Sequence, residues 1–351
     1  MSSPRLSLWA RRSACAGLAI LAALCFLGAR TAQPNHFAFG VIGDAPYRPE
    51  EVVRFAAAIN AMNQSELAFV VHVGDIQADG RSAYRGGIPT CTDESLLERK
   101  KLFDASRHPF ILTPGDNDWT DCHGVKDRVV DPLERLARLR TMFFPTSQSL
   151  GQRKITLAIQ SVDPRYAKYV ENQSWIHEGV HFVTLHIVGS NNNRGRNPQM
   201  DAEYAERNAA NLAWMVHAFE RARSGQARAI VIVIQANPFF ERTWAASQVK
   251  SYLPGLPVDM SQPVQPTGFD DFLAALEREV LAFPKPVLLV HGDTHLFRLD
   301  KPLVRKSDQR LIEHFTRLET FGSPDVHWVR VVVNPKEPAV FSVTPEIVSG
   351  R

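Results

Sequence analysis

Aspartate recurs in one local setting along this chain. The stretch "ILTPGDNDWTDC", residues 111–122, ends a short apolar run in Pro-Gly and then places Asp116, Asn117 and Asp118 in succession. Taken alone, such a group of Pro, Gly, Asp and Asn is an ordinary turn. The same event occurs three more times: Gly43-Asp44, Gly74-Asp75 and His291-Gly292-Asp293-Thr294-His295 each follow a short run rich in Val, Ile or Leu. Four carboxylates brought into one cleft repel one another and lose hydration, and divalent cations are their natural complement. Recurrence therefore favours a metal site over four unrelated bends.

Such a site needs a scaffold that brings distant segments together. Apolar runs of strand length lie at Phe37–Ile42, Leu67–Val73, Pro109–Thr113, His181–Val188, Ala229–Ile234, Val287–Val290, Trp328–Val333 and Val340–Val343. Several are continuously apolar, as in strands covered on both faces. Helical patterns separate them at Glu50–Met62, Ser95–Ala105, Pro132–Phe144, Ala202–Arg223 and Phe269–Phe283, and Asp131-Pro132 reads as an N-cap before an N1 proline. Strand–helix alternation predicts an α/β fold. Ligands of open α/β sheets collect at the carboxyl ends of the strands, which is where the Gly-Asp pairs fall. The Pro-rich stretch Leu253–Gly268 is the longest aperiodic loop, read as a lid or a solvated excursion. Neither an internal repeat nor a domain linker is visible, so residues 33–351 are expected to form one domain.

In order and in strand context, Asp44, "GDIQAD", "PGDND" and "GDTH" resemble the calcineurin-like metallophosphoesterases, over Phe37 to Leu299. The resemblance implies a four-layer α/β/β/α sandwich of two mixed sheets flanked by helices. It also implies two divalent metal ions and hydrolysis of a small-molecule phosphoester, monoester or diester. Carried over residue by residue, the implied metal ligands are Asp44, Asp75, Asp116, Asp293 and His295, with Asn117 and Asp118 at the catalytic positions. The departures are substantial. Pro46 stands at the family's first histidine, with Tyr47 beside it as an alternative ligand. Asp116 replaces an asparagine ligand, Asn117 the catalytic histidine and Asp293 a histidine ligand. The mid-chain histidine is missing from "QANP", which offers Gln235 and Asn237. His291 is a further candidate ligand. Asn192, within "SNNNRGR", is a candidate for orienting a phosphate or a polar leaving group.

This exchange of imidazole for carboxylate changes the expected metal. Oxygen donors favour hard cations, so manganese or magnesium is expected before calcium, zinc or iron. By formal counting, two divalent ions with two aspartates leave about +2, whereas four aspartates bring the site to about zero. A neutral centre attracts a phosphate dianion less and acidifies water less. The leading expectation is a hydrolase with a remodelled centre, in which His123, His291 or a metal-bound water protonates the leaving group. The alternative is a non-catalytic, metal-dependent binding protein on the same fold. A nucleotidase-like enzyme selecting its substrate through the "SNNNRGR" loop is a weaker third.

Bulk properties narrow the remaining classes. With 40 basic and 37 acidic residues the net charge is +3, and no run of one sign suggests nucleic acid. Arg5, Arg11 and Arg12 precede the apolar "SACAGLAILAALCFLGA", which reads as a signal peptide or an uncleaved N-terminal anchor over residues 1–32. Export to the periplasm or beyond follows, with membrane contact only through that segment. Cys15 and Cys25 fall inside it, which leaves Cys91 and Cys122 as an even pair in an oxidising compartment and predicts a disulfide between them. Asn63-Gln-Ser and Asn172-Gln-Ser match the glycosylation pattern by chance in a chain with a bacterial-type signal.

Overall fold

A computed structural model describes residues 36–81, 88–239 and 267–349. The targeting segment 1–32 and most of the Pro-rich stretch (residues 253–266) lie outside the described residues. From His36 onward the chain clusters as one compact unit.

Two mixed sheets form the centre. In the smaller, β1 (Phe37–Ile42), β2 (Val70–His72) and β3 (Phe110–Leu112) run parallel, and β11 (Trp328–Val333) and β12 (Phe341–Glu346) extend it antiparallel, in the order β12-β11-β1-β2-β3. The larger has the order β4-β5-β6-β7-β8-β10-β9, built from β4 (Ala158–Ile159), β5 (Gln173–His177), β6 (Val180–Thr184), β7 (Ala229–Val233), β8 (Val287–His291), β9 (Arg298–Asp300) and β10 (Phe315–Glu319). Its four central strands β6, β7, β8 and β10 are parallel, and β4, β5 and β9 close the edges antiparallel.

Alternation along the strands divides the core into three apolar layers. Phe39, Val41, Val71, Phe182, Val231, Val290 and Val331 fill the space between the sheets. Opposite faces of the same strands pack under helices, because successive side chains of a strand point to opposite sides. Helices α1 (Pro49–Asn63), α2 (Asp93–Asp104) and α3 (Pro132–Phe143) cover the smaller sheet through Phe55, Phe103 and Leu139. Helices α4 (Pro198–Ser224) and α5 (Asp270–Leu281) cover the larger through Met215, Phe219, Phe272 and Leu276. Each fully buried Phe or Leu contributes about 1.5–3 kcal/mol. The result is the expected four-layer α/β/β/α sandwich.

The helices start where local chemistry directs. Thr92 accepts the Ser95 N–H at 3.1 Å, Asp131 the Leu133 N–H at 2.9 Å and Asn197 the Met200 N–H at 3.0 Å. Four strands escape the apolar-run criterion: β4, β5, β9 and β10. All four lie at or next to a sheet edge, where one face needs no apolar cover. In β10, "FTRLE", Arg317 and Glu319 are buried by pairing, Arg317 with Asp300 on the neighbouring strand. The run 181–188 also divides: its ladder ends at Thr184, and Leu185–Val188 continues as extended chain.

Candidate metal centre

The parallel strands of both sheets deliver their carboxyl ends to one region. Asp44 follows β1, Asp75 follows β2, Asp116 follows β3, and Asp293 and His295 follow β8. Asp44, Asp75 and Asp116 are buried, whereas Asp293 and His295 are half-buried, so the cluster meets solvent on the β8 side. Two of the glycines preceding these acids make room for a carboxylate from another strand. A Cβ on Gly115 would lie 2.0 Å from Asp75 Oδ1, and one on Gly292 would lie 1.8 Å from Asp44 Oδ2. Gly189, after the β6 extension, does the same twice: its Cβ would meet Asp293 Oδ1 at 2.6 Å and Asp116 Oδ2 at 2.9 Å.

Tight turning is done mostly by the acids rather than by the glycines. Asp44, Asp75, Asp293 and His295 have φ of 49°, 55°, 85° and 63°, and among the four motif glycines only Gly74, at 100°, has positive φ. Left-handed backbone costs an ordinary side chain roughly 1–2 kcal/mol, less for Asp and Asn.

A dense hydrogen-bond shell holds the acids. Asp44 Oδ1 accepts the Asp293 N–H at 3.0 Å, Asp75 Oδ1 the Asn117 N–H at 3.0 Å, and Asp293 Oδ2 the Asn237 N–H at 2.8 Å. Tyr47 sits between the motifs. Its hydroxyl donates to Asp75 Oδ2 at 3.0 Å, accepts from Asn117 Nδ2 at 3.0 Å and lies 3.4 Å from His295 Nε2. His295 Nδ1 donates to the Ser323 carbonyl at 2.7 Å, which leaves the Nε2 lone pair turned toward Tyr47. Asp118 is saturated by backbone, with N–H groups of Gly115, Ile76 and Asp75 at 2.7, 2.8 and 3.2 Å. It ties the second and third motifs together.

Two carboxylate oxygens, Asp44 Oδ2 and Asp116 Oδ1, are buried without a hydrogen-bond partner. The electrostatics show the same deficit. Burial, then the neighbouring Asp293 carboxylate, pushes Asp44 well above the usual carboxylate range. Burial followed by Asp116 and Asp118 does so for Asp75, and burial followed by Asp293 and Asp121 for Asp116. Burial raises Asp118 to about 7 against the pull of its three N–H donors, and burial followed by Asp75 raises the Tyr47 phenol. Among the described residues, no three His, Cys, Asp or Glu side chains stand closed around a metal position. With most inner oxygens bound to N–H or O–H donors, a cation would have to draw side chains off those partners. The donor set itself fits a hard divalent ion: clustered carboxylates, two orphaned oxygens and one neutral imidazole nitrogen.

Other residues singled out in the sequence separate into those near the cluster and those turned from it. Gln235 Oε1 accepts the Gly189 N–H at 2.6 Å and its Nε2 reaches Asp293 Oδ1 at 3.3 Å, so it braces the cluster. The Asn237 side chain lies instead toward Glu319 and Arg317, at 3.5 and 3.2 Å. His291 is buried, with Nδ1 on the Gly292 carbonyl, and burial lowers it to about 3. Asn192 is also buried; it holds Arg207 Nη1 at 2.6 Å and the Gly268 carbonyl at 3.1 Å, and thus positions its loop. Residues Ser190 to Asn193 form a left-handed run with φ between 49° and 66°. Asn172 of the second glycosylation pattern is buried and bonded to Gln160 and Asn211, so it is inaccessible to a glycan. The Cys91–Cys122 disulfide is present and joins the loop before α2 to the turn after Asp118.

Glu319 escapes the sequence reading. Its Oε1 receives the Thr294 N–H at 3.1 Å and the Thr294 hydroxyl, which fixes the turn between Asp293 and His295. Burial raises it to about 7. The only sequence signal was an acidic residue closing an otherwise ordinary "HFTRLE" segment.

No family model and no curated protein matches the chain. Solved structures that it resembles include PhoD, at a TM-score of 0.48 and 12% identity over 88% of this chain and 68% of that one. The 5'-nucleotidase from Candida albicans gives 0.42 and 12% over 88% and 50%, and the 5'-nucleotidase precursor from Thermus thermophilus gives 0.41 and 10% over 89% and 54%. The chain spans about half the length of these two nucleotidases. Likeness at this level carries no argument, so the functional reading rests on the residues of this chain.

Proposed function

We propose that the protein hydrolyses phosphoesters at a centre that holds divalent cations on Asp44, Asp75, Asp116, Asp293 and His295. One observation carries this reading: carboxylates from four separate strand ends are drawn together, Asp44, Asp75 and Asp116 are raised well above the usual range by burial and by neighbouring carboxylates, and two buried oxygens have no partner. Burying that much like charge without a counter-charge is costly, and divalent cations offset the cost.

A bound divalent cation supplies the positive charge that lowers the pKa of water and neutralises phosphoryl oxygens. The chain supplies the rest. The neutral imidazole of His295, its Nδ1 proton committed to Ser323, offers Nε2 as a donor atom of fixed tautomer. Asn117, released from Tyr47, can donate Nδ2–H to a phosphoryl oxygen, and the Tyr47 hydroxyl is a second donor at the same spot. In the reaction, a water oxygen bonds to phosphorus, the ester P–O bond breaks and the leaving oxygen takes a proton. That proton does not come from the two histidines considered for it. His291 is buried, and His123 already gives Nδ1–H to the Thr120 carbonyl and faces Arg81 with Nε2. Of the three donors considered, a water is the one left, which favours leaving groups of low pKa.

The test is turnover of 4-nitrophenyl phosphate and bis(4-nitrophenyl) phosphate with Mn²⁺, Mg²⁺, Ca²⁺ or Zn²⁺, before and after chelation. Metal-dependent turnover that disappears in Asp75→Asn supports the hydrolase. Tight metal binding without turnover of either ester supports the binding protein instead, a reading favoured by the engagement of Asn117 and both histidines.

A further inference from the structure

We propose that the cleft between His123 and Val130 receives the leaving-group side of the substrate, and that this leaving group carries a second phosphoryl group. The chemistry rests on the phosphoester reading above; the cleft's geometry and charge are independent of it. The cleft is open to solvent and has a volume of about 480 Å³. Its inner end belongs to the turn that carries Asp116. The Asp121 N–H donates to the Asp116 carbonyl at 2.9 Å, and His123 follows two residues later. The Thr120 carbonyl accepts both His123 Nδ1, at 3.0 Å, and Arg196 Nη1, at 2.8 Å. Arg196 also reaches Asp121 Oδ1 at 3.2 Å, and the Cys122 disulfide anchors the same turn. The cleft and Asp116 therefore belong to one hydrogen-bonded turn segment.

Its wall has the opposite sign to the cluster. Lys126 is exposed and makes no ion pair among the described residues. Arg128 pairs with Asp127 at 3.1 Å and braces the Thr90 carbonyl through its other nitrogen. Arg81 lies against His123 Nε2 at 3.0 Å. Among the lining residues, Lys126 and Arg128 against Asp127 leave one positive charge, with Arg81 behind His123. Val125 and Val129 give the same wall an apolar face, and Val129 is fully exposed. Methylene carbon ending in a dianion matches both features, whereas a neutral aryl leaving group matches only one.

Without metal the aspartates repel anions, so anion binding to chelated protein reports on this wall alone. Inorganic phosphate titrated into chelated full-length protein, followed by ³¹P line width, is expected to saturate. Lys126→Glu should weaken that binding at least tenfold, and Asp75→Asn should leave it in place. With metal present, kcat/KM for butane-1,4-diol bisphosphate should exceed that for the monophosphate by tenfold or more. Lys126→Glu should erase this preference, bringing the two diol esters to equal kcat/KM. Absence of saturable phosphate binding, or equal binding by Lys126→Glu, overturns the anion cleft. Equal kcat/KM for the two diol esters overturns the leaving-group assignment. Saturable phosphate binding with no turnover of any ester sinks the hydrolase reading and the leaving-group role together, and leaves the anion cleft standing.

Discussion

At the residue scale, Asp44, Asp75 and Asp293 do two things at once: they carry the charge and make the turn, each with positive φ. A sequence shows that an aspartate follows a glycine; it does not show which of the two bends. The acids and their strand-end positions were therefore legible, while the distribution of strain was not. Asp118 illustrates a second limit. Its place beside Asn117 suggested catalysis, but three backbone N–H groups occupy it. Asp118→Asn keeps one acceptor oxygen where two were in use, and should lower stability by about 1–3 kcal/mol, read as a lower Tm of the metal-free protein. Asp75→Asn removes the acid that lies between Tyr47 and Asn117. It should abolish metal-dependent turnover and leave the circular dichroism spectrum native. Glu319 was illegible because its value arises only when β10 is set beside Thr294.

At the element scale, the strands that read clearly are those covered on both faces. β1 and β11 coincide with their apolar runs. β5, β9 and β10 carry polar residues satisfied by partners far away in the chain, and no local pattern announces them. The loops interlock through missing side chains. Gly189→Ala would place a methyl against Asp293 and Asp116 at 2.6 and 2.9 Å. Both carboxylates would have to move, so affinity for Mn²⁺ should fall tenfold or more by calorimetry, with a smaller change in Tm. Gly115→Ala meets Asp75 backbone as well, at 2.3 Å from its nitrogen, and should be far more damaging to folding. The disulfide closes a loop of 31 residues' separation between two site-bearing segments. Replacing both cysteines by serine should cost roughly 2–4 kcal/mol, seen in denaturant unfolding under non-reducing conditions.

At the scale of the whole molecule, the buried acids couple stability to pH and to metal. A carboxyl whose folded-state pKa lies above its unfolded value holds its proton more tightly when folded. Its contribution is complete below the unfolded pKa and is lost as pH rises through the folded one. Asp118 and Glu319, each raised to about 7, and Asp44, Asp75 and Asp116, raised well above the usual range by burial and by neighbouring carboxylates, act in this direction. Metal-free protein should therefore lose Tm between about pH 4 and pH 8, where carboxylate-led acid lability would give the opposite slope. Saturating Mn²⁺ should flatten that slope, because a ligand bound only by the folded state adds stability by mass action. Among the described residues no helix is long and apolar enough to cross a membrane.

The proposed activity depends on these acids meeting around a cation, and metal content tests that most directly. Full-length protein loaded with Mn²⁺, freed of excess and assayed by elemental analysis should retain at least one ion per chain. Asp75→Asn and Asp116→Asn prepared alongside should retain substantially less. Retention of no Mn²⁺, Mg²⁺, Ca²⁺ or Zn²⁺ by the unaltered chain, or equal retention by the two variants, would contradict it.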